Sequence, residues 1–234
     1  LIGKRQMVNN AYNDGLPPLM VACKRRRIKS VLLLLEEQRN QLSLLDPKDK
    51  DFKHYESFYN YMNSVGPYKN QPLHYACKTG NIEIVQALVE AGAELNGKNF
   101  YNDTPLSIAA IHGHLDIVKY LVEKGANIHG VDKQQRSPFI RACMNGQVHI
   151  VAYLLKMGVN PNFCDSSENT GLHYACAYGW LNVVKLLIEH GNADANRLNE
   201  WKSSPTIIAM LKGHLGIVDY MLSLKNINSS LVDD

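Results

Sequence analysis

Gln71–Asn96, QPLHYACKTGNIEIVQALVEAGAELN, lies over Thr104–His129, TPLSIAAIHGHLDIVKYLVEKGANIH, with the apolar positions aligned and no gap, at an offset of 33 residues. Ser137–Asn162 follows at the same offset, then Thr170–Asn196 with Asn192 as one inserted residue, then Ser204 to about Asn228. A fixed period of this length decides the architecture before any local propensity is consulted. Pro72, Pro105, Pro138, Gly171 and Pro205 mark the starts. Gly80, Gly113, Gly146, Gly179 and Gly213 divide each copy into two apolar stretches too short to fold alone. A weaker copy precedes them at Pro17–Leu35.

Each stretch carries helix signals. Proline fits the first turn of a helix, where its missing N–H has no partner to lose. In the second stretch Ile84, Val85, Leu88 and Val89 make one apolar face, repeated by Ile117, Val118, Leu121 and Val122 and by Ile150, Val151, Leu154 and Leu155. Gly92, Gly125, Gly158 and Gly191 are expected to stop that helix as C-terminal caps. No single helix pair buries such a face, so the copies must stack.

A proline start, an alanine pair, a glycine between two helices and a Gly-Ala turn into Asn resemble the ankyrin repeat family, whose hallmark start is Thr-Pro-Leu-His. The resemblance covers Pro17–Leu35 and Gln71 to about Asn228. It implies an all-α solenoid, a superhelical stack of helix-turn-helix repeats joined by short β-hairpin loops, with six recognisable copies. Residues 1–36 are expected to form a degenerate N-terminal repeat, 37–69 an insertion or degraded repeat with an aromatic helix, and 70–234 five repeats. The resemblance also implies that His74 and His173, fourth in their repeat starts, make a structural hydrogen bond across the hairpin.

The bulk properties agree. The 234 residues are 45% hydrophobic and 20% charged with a mean hydropathy of -0.23, enough for a sizeable core and unlike a disulfide miniprotein or a disordered tail. With 25 basic against 22 acidic residues the net charge is +3, so any basic partner site must be local. The longest apolar run, Val31–Leu35, is far below the ~20 residues that cross a bilayer, and no signal pattern opens the chain. No membrane insertion and an intracellular location, cytoplasmic or nuclear, are expected. The chain opens on Leu1 and is read as part of something longer.

The period breaks in two places. Between Pro18 and Pro72 lie 54 residues, 21 more than one repeat. Here Phe52, Tyr55, Tyr59 and Met62 form a stripe at helical spacing, with Phe58, Tyr61 and Tyr68 alongside. Packing on neighbouring repeats and a partner-binding protrusion both stay open. The run Lys24, Arg25, Arg26, Arg27 and Lys29 puts Arg26 where later copies have glycine, a substitution costing roughly 1 kcal/mol in a left-handed turn. It is a solvated end face, an import signal or a seat for an acidic partner, and it is the one hint of nucleic-acid contact.

Chemistry finds little purchase. His112 and His114 are the one close histidine pair, without a third ligand at zinc spacing, so no metal is expected. Cys23, Cys77, Cys143 and Cys176 share one slot, the second of the alanine pair, and are expected to be buried core thiols, with Cys164 in a hairpin. No phosphate-cradling loop, nucleophile elbow or His-Glu-x-x-His is present, so neither catalysis nor a cofactor is expected within these residues. Asn102-Asp103-Thr104 and Asn228-Ser229-Ser230 match a glycosylation acceptor that is incidental in an intracellular protein.

The resemblance assigns binding to hairpin tips and inner helices. The tip slots hold Phe100, Tyr101 and Asp103, then Lys133, Gln134 and Arg136, then Ser166, Ser167 and Asn169, then Glu200, Trp201 and Ser203. The inner-helix slots include Ile111 and His112, Met144 and Asn145, Tyr178, and Lys212. Arg141 replaces the bulky residue found at Tyr75, Ile108 and Tyr174 and should add a charge to the groove. The expected anchors are Phe100, Tyr101, Ile111, Met144, Tyr178 and Trp201. The function expected is a scaffold that binds a partner segment of a protein in its concave groove. The alternative is the targeting arm of a larger enzyme such as a kinase, ubiquitin ligase or ADP-ribosyltransferase. Ile217, Val218, Met221 and Leu222 on the last helix suggest a stacking face covered by further repeats, another domain or a partner chain.

Overall fold

The computed structural model describes residues 16–43 and 53–224. Thirteen α-helices follow one another: α1 (Pro18–Lys24), α2 (Ile28–Ser43), α3 (Lys53–Met62), α4 (Pro72–Thr79), α5 (Ile82–Glu90), α6 (Pro105–His112), α7 (Leu115–Glu123), α8 (Pro138–Met144), α9 (Val148–Lys156), α10 (Gly171–Tyr178), α11 (Leu181–Glu189), α12 (Pro205–Leu211) and α13 (Leu215–Leu222). No strand forms among the described residues. The hairpins reach only one isolated antiparallel bridge, Cys164 with Thr170.

Two compact units result. Unit one runs through Ala109 and takes Lys119–Ala126; unit two takes Ala110–Val118 and everything from Asn127, so the boundary passes through α6 and α7. In unit one α1 packs on α4, and α2 on both α3 and α5. In unit two α8, α10 and α12 form an inner row and α9, α11 and α13 an outer one.

Small side chains set the inner spacing. Ala76, Cys77, Ala109, Ala110, Ala142, Cys143, Ala175 and Cys176 are all fully buried. All five cysteines are free thiols, and burial pushes Cys23 and Cys176 up to about 12 and raises Cys77 and Cys143 as well. The outer helices bury Ile84, Val85 and Leu88, then the same slots through Val183, Val184 and Leu187. Ile217, Val218 and Met221 obey this rule at 2%, 7% and 0% exposure. They are packed within their own helix pair and on α11, so these three need no cover from further repeats, another domain or a partner chain, contrary to the expectation from their spacing. The apolar side chains left exposed at that end are Leu211, Leu215 and Leu222.

The turns follow the glycines with two exceptions. Gly80, Gly113, Gly146, Gly179 and Gly213 take φ of 69–81°, and Arg26 takes the same left-handed turn at φ 56°. Arg26 therefore keeps the turn and bears its strain. Gly92, Gly125 and Gly158 cap as expected, but Gly191 does not: the inserted Asn192 takes φ 53° instead. Ala193 N–H closes on Leu187 O, as Ala93 N–H closes on the equivalent Leu88 O, so the extra residue is absorbed outside the helix.

In the insertion, α2 runs on to Ser43 and α3 is added. Met62 of the stripe and the neighbouring Tyr61 are buried, Phe58 is half-buried and Tyr59 is exposed, so this helix packs through one side and leaves Tyr59 to solvent. Phe52 and the side chain of Tyr55 lie outside the described residues.

The histidines in the repeat starts are pinned. His74 Nδ1 accepts from Gln71 N–H at 3.1 Å, which leaves Nε2 to donate to Asp103 O across the hairpin at 3.1 Å. His173 Nδ1 accepts from Thr170 N–H at 3.1 Å, but its buried Nε2 finds no hydrogen-bond partner, so of the two expected bonds across the hairpin only that of His74 is made. Burial pulls the His173 imidazole down to about 4, offset in part by the nearby backbone of Ser203 and Arg197.

Gly171, standing where the other starts have proline, has a packing cause. A Cβ there would lie 2.7 Å from Cys143 Sγ and 3.3 Å from Phe139 Cε1. Elsewhere within a unit the sequence has leucine in the slot of Phe139 and proline in the slot of Gly171, as with Leu73 ahead of Pro105 and Leu172 ahead of Pro205. The larger Phe139 takes up the volume the proline would need.

Gly171→Ala is therefore expected to cost about 1–3 kcal/mol by overpacking. Phe139→Leu in the same chain should return at least ~0.5 kcal/mol of coupling in a urea-denaturation double-mutant cycle; additive effects would remove the crowding account. Because His173 is neutral when folded, the unfolded chain takes up its proton first. Stability should decline as pH falls from about 6.5, the ordinary histidine value, to about 4. His173→Gln should make that stretch of the pH profile of the denaturation midpoint shallower, the buried His74, also held below the ordinary histidine value, accounting for what slope remains.

Candidate binding surface

Four hairpin tips, those starting at residues 99, 132, 165 and 199, are each braced by one buried Asp or Asn whose Oδ1 accepts two backbone N–H groups. Asn99 holds Tyr101 and Asp103, Asp132 holds Gln134 and Arg136, Asp165 holds Ser167 and Asn169, and Asn199 holds Trp201 and Ser203, all at 2.9–3.1 Å. The next residue but two turns left-handed in every tip, at Asn102, Gln135, Glu168 and Lys202. This brace carried no mark in the sequence reading, although Asn or Asp recurs in register at 99, 132, 165 and 199. Such short side chains fold back on their own backbone, which is the signal that would have found it.

The tips join edge to edge by single backbone bonds. Phe100 N–H donates to Tyr68 O in unit one; Ser166 N–H to Gln134 O and Glu200 N–H to Ser167 O in unit two. Asp103 and Asn169, expected at the tip surface, are instead 5% and 8% exposed, because the chain turns inward there to enter the next helix.

Inside unit two a second set of bonds ties successive copies. Gln147 Nε2 donates to Ile111 O at 3.1 Å, Trp180 Nε1 to Met144 O at 2.9 Å, and His214 Nε2 meets Ala177 O at 3.1 Å. Each side chain lies over the preceding glycine: a Cβ on Gly113, Gly146 or Gly179 would come within 2.5–2.8 Å of it. The glycines are thus needed twice, for the left-handed turn and for this close approach. Trp180 was missed as a structural residue, and Ile111 and Met144 are half-buried beside these joints.

The remaining site residues divide by unit. In unit two Tyr178 is 53% and Trp201 65% exposed, and His112, Lys133, Asn145 and Lys212 are exposed. Tyr178 stacks on Tyr174 at 6.4 Å and 13° between planes, and the Tyr174 hydroxyl donates to Asp165 Oδ2. Arg136 Nε donates to Asp132 Oδ2 at 2.8 Å, and Arg141 Nε approaches the same oxygen at 3.9 Å. Arg141 therefore brings its charge to the inner row against a buried carboxylate rather than alone. Asn145 Nδ2 donates to Arg141 O at 2.8 Å. In unit one Phe100 and Tyr101, each 49% exposed, meet edge to face at 5.3 Å.

Among the described residues no three His, Cys, Asp or Glu side chains gather as a metal site, and no helix is long and apolar enough to cross a membrane. The run Lys24–Arg27 is exposed on α1 and its turn.

No curated protein matches the chain. The family model for ankyrin repeats (3 copies) matches it over residues 44–132, 97–165 and 139–231. Arrays of this family generally mediate protein–protein interaction and are typically non-catalytic scaffolds. With the 33-residue period, the stacked helix pairs and these matches over most of its length, the chain belongs to the ankyrin repeat family.

Proposed function

We propose that unit two captures an extended or helical segment of a partner protein on the surface formed by its hairpin tips and inner helices. Tyr178 and Trp201 are the anchors, Met144 lines the surface between copies, and Arg141, Asn145 and Lys212 supply polar recognition at its rim. The observation that supports this is the pairing of high exposure with a fixed backbone. Trp201 and Tyr178 are among the most exposed aromatics of unit two, yet Trp201 sits in a tip braced by Asn199, and Tyr178 ends a helix stacked on Tyr174 and stopped by left-handed Gly179. A large side chain on a rigid base loses little conformational freedom when it binds, and Tyr, Trp and Arg dominate interface energies.

Lys133 and His112 extend the same surface with groups that can select a partner by charge. Tyr174 is held off the task by its bond to Asp165.

Tyr178→Ala and Trp201→Ala are each expected to weaken partner capture by roughly 30-fold, the effect of about 2 kcal/mol per anchor, with an unchanged far-UV circular dichroism spectrum. A photo-crosslinker placed at Asn145 should label the partner, whereas one at Lys185 on the outer helix should not. Equal labelling at both positions, or full capture by the double variant, overturns the proposal.

A further inference from the structure

Unit one carries a second exposed aromatic feature that the groove does not use. Residues 66–70 form the hairpin tip that precedes the first full repeat, so Tyr68 occupies the slot of Tyr101, and Gly66 that of the bracing Asn99. Gly66 N–H donates to Asn70 O as Asn99 N–H donates to Asp103 O. Glycine has no side chain to brace the tip, and there the backbone departs from its period. Lys69 keeps the left-handed conformation of its slot at φ 56°, but Tyr68 turns left-handed as well, at φ 57°. Tyr101, Gln134, Ser167 and Trp201 in the equivalent slot do not. A tyrosine in that region is strained by roughly 1–3 kcal/mol. It is held there by Phe100 N–H to Tyr68 O and by Asn99 Nδ2 to Asn70 Oδ1 at 3.1 Å.

The strained residue presents a ring 64% exposed, stacked on Tyr101 with centroids 6.0 Å apart and planes 24° from parallel. Phe100 stands edge-on to Tyr101 at 5.3 Å. Three linked rings, each about half exposed or more, make a short aromatic ridge flanked by exposed Lys69 and Lys98.

We propose that this ridge docks a proline-rich segment of a partner protein in the polyproline II conformation, with acidic residues beside the prolines. Three arguments choose that occupant. Adjacent rings stand 6.0 and 5.3 Å apart, each spacing shorter than the ~9 Å turn of polyproline II at three residues per turn and 3.1 Å rise, so one turn of the ligand can touch more than one ring. A polyproline II backbone leaves its carbonyls unbonded, and tyrosine hydroxyls are suitable donors to them. A methylated ammonium caged between Tyr68 and Tyr101 is excluded by spacing, because two carbon contacts of ~3.5–4 Å need ring faces at least ~7 Å apart. The flanking lysines supply the complement for acidic neighbours.

The test is titration of the whole chain with a decaproline peptide carrying two glutamates at its N-terminus, against a glycine-serine peptide of equal length with the same glutamates. The proline peptide is expected to bind saturably and at least tenfold more tightly. Tyr68→Ala and Tyr101→Ala should each lose tenfold or more, while Trp201→Ala, in the other unit, leaves binding unchanged and so separates this site from the groove. Should either alanine variant melt early, Tyr68→Phe and Tyr101→Phe keep the rings and should lose severalfold through the missing hydroxyls. Equal binding of the two peptides, preference for a trimethyl-lysine peptide, or full affinity in the tyrosine variants would overturn the proposal.

Discussion

One side-chain oxygen per repeat, taking two backbone N–H groups at a hairpin tip, sets the geometry on which the remaining structure depends. Asn99, Asp132, Asp165 and Asn199 are nearly fully buried, and an amide or carboxylate there is tolerable only because its oxygen is doubly satisfied. The second atom of each group is also used. Asn99 and Asn199 donate Nδ2 to Asn70 and Asn169 of the preceding tip, whereas Asp132 and Asp165 accept from Arg136 and Tyr174. The choice between acid and amide at this slot therefore follows what lies beside it: an oxygen calls for Asn, a hydrogen donor calls for Asp. From the braced tip the chain enters the next inner helix at a fixed angle, capped by Ser137, Thr170 or Ser204.

Most of this architecture was legible because a 33-residue period repeats hydrophobic spacing, proline starts and glycine turns five times over. Repetition averages away the local ambiguity that a single helix of seven to nine residues would leave. What stayed hidden depended on direction rather than on residue type. Ile217, Val218 and Met221 were apolar and in register, but spacing alone does not say whether such a face meets its own pair or a neighbour. Gly191 was in register for a cap, and the inserted Asn192 took the conformation from it because Asn tolerates left-handed φ.

The candidate site was legible at the level of slots and less so at the level of side chains. Tyr178 and Trp201 are exposed where the resemblance puts them, while Asp103 and Asn169 are drawn inward. Trp180 had no role assigned from the sequence, yet its indole N–H closes the C-terminal end of α8. Tyr68 was grouped with the aromatic helix of the insertion by proximity in the chain, and its place in a hairpin tip follows only from the backbone bonds at Gly66 and Phe100.

The bonds from Gln147, Trp180 and His214 all run backward, from a later copy to a carbonyl of the one before. This gives unit two a polarity that helix packing by itself lacks. On the ribosome, where the N-terminal side emerges first, α8 waits with the Met144 carbonyl open until Trp180 has been made, and α10 waits in turn for His214. Completion of each layer is thus deferred by about one repeat of synthesis, and the partly made array always carries its unfinished edge at the end nearest the exit tunnel.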